Sequence, residues 1–167
     1  MSPLPPPGRW ALGSESQALA EALVQQAQRE GLCTAWLAPE AGFLSNLSML
    51  ENLRLVHDWP RGDGDRFGHD LGQALVRLDM PEPDWLQQRP SQLRGRQLLQ
   101  AAFLRAVLVE PAVLVLHPDS LAEAGPLAAQ LIAAFAQARL LLLAEPRPDW
   151  PAWPQPEPAV AAEESPS

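Results

Sequence analysis

The sequence predicts an α/β fold in which a parallel sheet is covered by helices on both faces. Two short segments, Ala112–Leu116 and Leu140–Leu143, are apolar without interruption. A strand that is buried on both faces has such a continuous apolar run, whereas a half-exposed strand alternates. Helical segments separate the strand segments along the chain, and helices are the usual connections between parallel strands.

The first half of the chain contributes helices and one strand. In Ser14–Glu30 apolar residues recur on one side, Gly31 follows as a stop, and Ser14 with Gln17 fits a capping box. Thr34–Ala38 is short and mostly apolar, which predicts a strand. Two further helices are expected on either side of a turn-rich segment, over Leu47–His57 and Phe67–Leu78.

The second half alternates helix and strand. Helices are predicted over Gly95–Val109, which Pro111 follows, and over Leu121–Ala138. The two longest apolar stretches, Leu98–Leu116 and Leu127–Ala144, contain charged or amide side chains. Neither has the roughly 20 uninterrupted apolar residues of a membrane span, so each is interpreted as a helix followed by a strand.

The charge of the chain excludes several functions. The formal net charge is −8, which argues against nucleic-acid binding, because phosphate backbones are held by clustered basic side chains. All 12 basic residues are arginines. The absence of lysine removes Schiff-base chemistry and any phosphate-loop lysine.

The cysteine and histidines do not indicate a metal site. The single cysteine, Cys33, permits no internal disulfide and is predicted to be a buried structural thiol. His57 and His69 are expected in loop-rich, polar surroundings, and His117 stands alone at a strand end. With no second ligand at metal spacing, we expect no bound metal.

Three regions follow from composition. Residues 1–8 form a Pro-rich N-terminus expected to be disordered, residues 9–145 a globular domain, and residues 146–167 a Pro-rich acidic tail. Trp150 and Trp153 are expected to pack back onto the domain, because solvated tails seldom contain tryptophan. The start of the chain has no signal-peptide pattern, so a cytoplasmic location is expected.

The most specific pattern lies between residues 89 and 111. It is R-P-S-Q-L-R-G-R-Q, then a helical segment, then L-R-A-V-L-V-E-P. This resembles the signature region of ABC-transporter ATPases, where P-x-x-L-S-G-G-Q opens a helix that runs into A-R-A-L-x-x-x-P. Arg94 replaces the family's Ser and Arg96 its second Gly. The matching positions are Leu93, Gly95, Gln97, Arg105, Ala106 and Pro111.

Other segments extend the resemblance. Residues 43–53, F-L-S-N-L-S-M-L-E-N-L, resemble the segment after the family's Q-loop, and Ala112–Leu116 takes the place of the Walker B strand. Gly8 and Gly13 keep the G-x-x-x-x-G frame of a Walker A loop. The subfamily suggested is the ATPase of bacterial lipid-trafficking systems. The resemblance implies a reduced P-loop NTPase-like sheet from which most of the antiparallel β-subdomain is missing.

The resemblance also implies that the nucleotide machinery is degenerate. A working site needs a Walker A lysine, a hydroxyl and an acidic pair for Mg²⁺, and polar side chains in the Q-loop and switch. We therefore expect no catalytic residue, no bound cofactor and no ATP hydrolysis in cis. Ser14 is alternatively interpreted as an N-cap, with Glu15 as a first-turn acid. The residues at the degenerate positions are Ser14 and Glu15 (Walker A), Pro39 and Glu40 (Q-loop), His117, Pro118 and Asp119 (Walker B), and Glu145 (switch).

The functional hypothesis is a non-catalytic subunit of an ABC assembly. It would dock a permease in the groove beside Pro39–Asn52, or pair with a competent ATPase, as a homo- or heterodimer, and reach the membrane only through that partner. Arg94 and Arg96 would then either contact a phosphate on the partner or remain solvated. Two alternatives stay open: a free-standing adaptor or regulator, and a residual ATP-binding protein with weak activity.

Overall fold

Four parallel strands form one sheet in the computed structural model, which describes residues 4–38, 42–61 and 64–152. Their order in the sheet is β1-β4-β3-β2, and all described neighbours are parallel. This confirms the predicted α/β class. The strands are β1 (Gly8–Ala11), β2 (Thr34–Leu37), β3 (Val113–Leu116) and β4 (Arg139–Leu142).

Within the described residues, six α-helices cover the two faces of this sheet. Short 3-10 turns at Gly64–Arg66 and Pro90–Gln92 precede two of them. No described helix is long and apolar enough to cross a membrane, and both long apolar stretches divide into helix and strand as predicted. The helices are α1 (Gln17–Arg29), α2 (Met49–Arg61), α3 (Phe67–Arg77), α4 (Gly95–Val109), α5 (Pro118–Ala124) and α6 (Leu127–Ala134).

The central strand β3 explains why its sequence is apolar throughout. Val113 and Val115 pack in the core on the α1 side, while Leu114 and Leu116 pack in the larger core on the opposite side. All four side chains are completely buried. Because each buried Val or Leu contributes roughly 1.5–3 kcal/mol, a polar residue on either face would be costly.

The helix after β3 differs from the sequence prediction. The helix expected over Leu121–Ala138 is two helices, separated by Gly125 and Pro126. Gly125 has a φ of 53°, which lies in the left-handed region. The first of the two helices, α5, begins at Pro118 rather than at Leu121. Proline suits the first turn of a helix because its missing N–H would have no partner there.

The start of α1 also differs. The helix begins at Gln17 with Ser16 as the N-cap residue, and the Ser16 hydroxyl donates to the carbonyl of Leu12. The predicted cap at Ser14 and the first-turn acid at Glu15 are therefore wrong, since both residues lie before the helix. Cys33, predicted to be buried, is exposed at the end of the connection into β2.

Both ends of the described chain are attached to the sheet. The Trp10 indole N–H donates to the carbonyl of Pro6 at 3.0 Å. At the other end Trp150 is completely buried, and the Ala11 N–H donates to the carbonyl of Pro151 at 2.8 Å. The described part of the chain thus includes residues that the sequence analysis places in the N-terminus and tail. Trp150 packs onto the domain as predicted, and Trp153 lies outside the described residues.

Candidate functional site

The residues at the degenerate nucleotide positions follow the carboxyl ends of neighbouring strands. Gly13 to Glu15 follow β1, His117 follows β3, and Glu145 comes shortly after β4. This edge is where open α/β sheets bind their ligands. Pro39 and Glu40, predicted at the Q-loop, lie outside the described residues.

The two glycines of the predicted Walker A frame lie at opposite ends of β1. Gly8 begins β1 and pairs with Arg139, so it lies at the far end of the strand from the loop. The connection into α1 is the short segment Leu12–Ser16. Gly13 is needed there, because its φ is 95° and an added Cβ would lie 3.1 Å from the Ser16 hydroxyl oxygen. Gly13 also donates its N–H to the carbonyl of Ala144 at 3.0 Å.

A carboxylate of the chain itself occupies this loop. Glu145 Oε1 accepts from the Ser14 hydroxyl at 2.9 Å and from the Ser14 backbone N–H at 3.3 Å. Ser14 and Glu145, which the sequence analysis predicts at the Walker A and switch positions, are therefore joined directly although they are 131 residues apart. Glu15 is exposed beside them. A nucleotide's phosphates would meet two carboxylates and no lysine, so this residue set does not suit ATP.

The Walker B position forms a helix cap. The backbone N–H of Asp119 donates to His117 Nδ1 at 3.4 Å, which makes His117 the N-cap residue of α5. The Asp119 carboxylate is largely exposed and lies 3.5 Å from the same nitrogen. Pro118 fills the first helical position. No group of three or more potential ligands among His, Cys, Asp and Glu occurs in the described residues.

The signature residues mark the start of α4. Leu93 is buried, whereas Arg94, Gly95 and Arg96 are exposed. Gln97 Oε1 accepts from the Arg94 backbone N–H at 2.9 Å, so this glutamine caps the helix. The α4 bounds agree with the sequence prediction.

Arg105 connects α4 to the segment that the sequence analysis predicts after the Q-loop. Arg105 donates to the carbonyl of Gly42 at 2.8 Å, and its guanidinium lies 4.4 Å from the centre of the Phe43 ring. Partial burial lowers the pKa of Arg105. Since guanidinium pKa values lie far above neutrality, the side chain remains charged and continues to hold residues 42 and 43.

The segment 44–48 is built around a buried asparagine. The Asn52 side chain donates to the carbonyls of Leu44 at 3.0 Å and Ser48 at 2.9 Å, and its oxygen accepts from the Leu44 N–H at 2.7 Å. Ser48 and Glu51 form a capping box at the start of α2, with bonds of 2.7 and 3.2 Å. This network fixes the entry into α2.

The outer face of α2 is an exposed apolar stripe. We call it the α2 face, and define it by Leu47, Leu55 and Trp59 with the charged residues Glu51, Arg54 and Asp58 beside them. Trp59 is 86% exposed and Leu55 is 43% exposed. A large exposed tryptophan on a hydrogen-bonded helix is typical of a docking surface.

A buried histidine is the residue that sequence reasoning missed. His57 was expected at the end of a helix in polar, loop-rich surroundings, but it lies within α2 with its side chain completely buried. Its Nδ1 lies 2.8 Å from Asp58 and its Nε2 lies 2.8 Å from Asp70 of α3. The helical spacing of residues 49, 53 and 57 was the available signal, since Met49 and Leu53 are also fully buried.

The sequence comparisons find no relative, whereas the structural comparison finds many. No family model matches the chain, and no curated protein matches it. Solved structures do match: the ATP-binding subunit of an ABC transporter has a TM-score of 0.58 at 15% identity, over 79% of this chain and 65% of that one.

Two further structures show the same likeness. The dimeric ATP-binding cassette MJ0796, bound to ADP and Pi after hydrolysis, has a TM-score of 0.54 at 16% identity, over 71% of this chain and 55% of its own. The cbiO1 subunit from Clostridium perfringens, part of the ABC transporter complex cbiONQ, has a TM-score of 0.53 at 15% identity, over 75% and 51%. The chain thus spans between about half and two thirds of these structures. It has the fold of an ABC-transporter ATP-binding cassette in part.

Proposed function

We propose that this chain is a non-catalytic subunit of an ABC-type assembly that docks a partner through the α2 face. The observation that carries the proposal is the exposure of Trp59 and Leu55 on a helix whose entry is held by Asn52. Docking surfaces gain most of their binding free energy from a few aromatic or aliphatic anchors, and Trp59 is suited to that role.

The partner proposed for this face is a cytoplasmic helix of an ABC permease. The face offers apolar anchors with the carboxylates of Glu51 and Asp58 at its rim, and Arg54 is already paired with Asp58 at 3.2 Å. Such a surface favours an amphipathic helix with basic residues beside its apolar side. The net charge of −8 adds long-range attraction to a basic partner.

The absence of catalysis is the second part of the proposal. The bonds from Ser14 to Glu145 place a carboxylate where a nucleotide phosphate would need donors. The chain has no lysine to neutralise phosphate charge. These features disfavour the residual ATP-binding alternative. The free-standing adaptor is less favoured in the form that uses the tail tryptophans, because Trp150 is buried in the domain.

Co-purification of the full chain from native membranes tests the proposal. We expect an ABC permease, with or without a competent ATPase, to be recovered. Leu55→Asp should reduce its recovery about thirtyfold or more, the effect expected of a hot-spot residue worth about 2 kcal/mol.

A matched control is available on the neighbouring helix. Val76 of α3 is 75% exposed, so Val76→Asp introduces the same charge on a surface that the proposal does not use. Recovery of the permease should be unchanged in this variant. Equal loss in both variants, or recovery of unrelated proteins alone, contradicts the proposed function.

A further inference from the structure

The imidazole ring of His57, which can gain or lose a proton, joins α2 to α3 through its contact with Asp70. His57 is completely buried, and each of its two nitrogens lies 2.8 Å from a carboxylate oxygen, Asp58 on one side and Asp70 on the other. A neutral imidazole has one N–H donor and one lone pair, whereas the imidazolium has two donors. Only the protonated ring can donate to both carboxylates at once.

We propose that His57 is a protonated latch that holds α2 against α3, so that the α2 face keeps its docking shape while the imidazole carries its proton and loosens when that proton leaves. The latch itself is a property of this chain alone. Its effect on docking rests on the proposed function.

The charges around His57 agree with a protonated ring. The hydrogen bond from His57 is the main reason that the pKa of Asp58 and the pKa of Asp70 both lie below the ordinary value. Both carboxylates are therefore ionised well into the acidic range. Burial by itself disfavours a charged ring, whereas an ionised carboxylate 2.8 Å from each ring nitrogen favours it, so the two carboxylates are what support a protonated His57.

The other charged groups near the latch act on the carboxylates. Arg54 of α2 donates to Asp58 at 3.2 Å, and Arg66 and His69 lower the pKa of Asp70 by their charge. The Phe67 ring lies edge-on to His57, with ring centres 5.5 Å apart. On α4, which also packs against α2, Arg96 is exposed and Arg105 is bonded to Gly42. His57 is the group among these whose loss of a proton removes a bond between α2 and α3.

The latch connects to the α2 face through Asp58. That carboxylate lines the groove beside Leu55 and Trp59, and it binds both Arg54 and His57. When the ring is neutral, one of the two carboxylates faces a lone pair instead of a proton. The repulsion shifts either Asp58, and with it the rim of the docking face, or Asp70, and with it the packing of α3 on α2.

The test is a pH titration of the full chain by nuclear magnetic resonance with ¹⁵N-labelled histidine, from about pH 5 to about pH 9. The chain has three histidines, so the exposed His69 and the partly buried His117 give separate resonances in the same spectra. We expect His57 to carry two slowly exchanging ring N–H protons at the acidic end of the titration and to lose one of them as the pH rises. A His57 that is neutral wherever the chain is folded would overturn the latch.

Amide hydrogen exchange in the same samples measures the mechanical consequence. Protection factors in α2, which correct for intrinsic base catalysis, should fall about tenfold as His57 loses its proton, because one charge-assisted hydrogen bond is lost. Asp70→Asn keeps an acceptor but removes a charge, and His57→Gln cannot titrate. Both variants should show no such fall. His117→Gln removes a histidine outside α2 and α3 and should show the same fall as wild type. An unchanged protection factor across the His57 titration in wild type contradicts the proposal.

Measuring permease binding at different pH values separates the proposed function from the proposed latch. If the permease binds at low pH and releases about tenfold more readily above the His57 titration, both stand. If no permease binds at any pH while the resonance and exchange results hold, the proposed function fails and the latch remains. If binding is pH-independent although His57 titrates, the connection between latch and docking is wrong.

Discussion

The carboxyl edge of the sheet and the α2 face differ in what their polar groups do. At the sheet edge the polar side chains bind one another: Glu145 binds Ser14, and His117 caps α5 over Asp119. On the α2 side the polar groups, above all Asn52, bind the backbone from beneath and leave Leu55 and Trp59 exposed. The polar groups of the first region bind within that region, whereas those of the second support the apolar side chains that we propose to dock a partner. The predictions below test that contrast, from the largest expected effect to the smallest.

Among the variants considered for the sheet region, we expect the largest loss of stability from the removal of the buried Trp150 side chain. Trp150→Ala should lower the free energy of unfolding by about 3–5 kcal/mol, because a completely buried indole is removed. Urea denaturation of the full chain measures this. Trp59→Ala is the matched control, since Trp59 is 86% exposed and its loss should change stability by less than about 0.5 kcal/mol.

A second variant at Trp150 separates apolar packing from hydrogen bonding. The indole N–H finds no acceptor in the described part of the chain. Trp150→Phe should therefore cost much less than Trp150→Ala. Equal losses in the two variants would mean that the indole N–H has a role that its position here does not indicate.

The α2 face depends on Asn52. Asn52→Ala should destabilise the chain by about 1–3 kcal/mol, because the carbonyls of Leu44 and Ser48 lose a buried donor. Asn46, which is exposed in the same segment, provides the control Asn46→Ala. A similar cost at both positions in denaturant titrations would show that the network around Asn52 does not organise the face.

We expect that the carboxyl edge of the sheet, where Glu145 binds Ser14, does not bind nucleotide. We expect no heat from ATP with Mg²⁺ in calorimetric titration of the wild-type chain, because carboxylates face the loop and lysine is absent. Glu145→Ala should change the free energy of unfolding by less than about 1 kcal/mol, since both partners are exposed. Micromolar ATP binding by wild type would contradict the non-catalytic proposal, and binding by the variant alone would identify Glu145 as what excludes ATP.

The smallest effect concerns the cap of α2. The Ser48 backbone N–H donates to Glu51 and is the main reason that the pKa of Glu51 lies below its ordinary value. A lowered pKa means that the ionised cap stabilises the fold above the ordinary glutamate range, and that this contribution is lost as the pH falls below about 4.3. Glu51→Gln keeps an acceptor without the charge. Its difference in melting temperature from wild type should vanish in acid and persist at neutral pH.

The pattern of apolar residues along the chain predicted those helices and strands that depend mainly on residues close together in the sequence. The bounds of α4 followed from an apolar helical run with Pro111 beyond it, and β3 followed from five adjacent apolar residues. The helix after β3 was predicted as one piece, because Gly125 and Pro126 lie inside an otherwise continuous helical pattern. Their backbone conformations, which the pattern does not encode, divide it.

Residues for the candidate site were proposed from the sequence, but the contacts that they make were not predicted. The sequence identified Ser14 and Glu145 as replacements at the Walker A and switch positions. It assigned Ser14 to a helix cap, whereas the neighbouring ends of β1 and β4 bring it to Glu145. In the same way the sequence pattern ended a helix at His57 and predicted polar surroundings there, because the histidine was judged by its polar neighbours and not by its helical spacing from Met49 and Leu53.

The sequence by itself determined the α/β class, the order of most elements, and the loss of every lysine-dependent phosphate contact, because these follow from composition and periodicity along the chain. Only the tertiary structure decided which polar groups meet. The bonds of Glu145 to Ser14 and of His57 to Asp70 span 131 and 13 residues, and they exist because the strand order and the packing of α2 on α3 place those groups together. Side-chain pairing across the fold depends on position in space, which residue type and spacing alone do not specify.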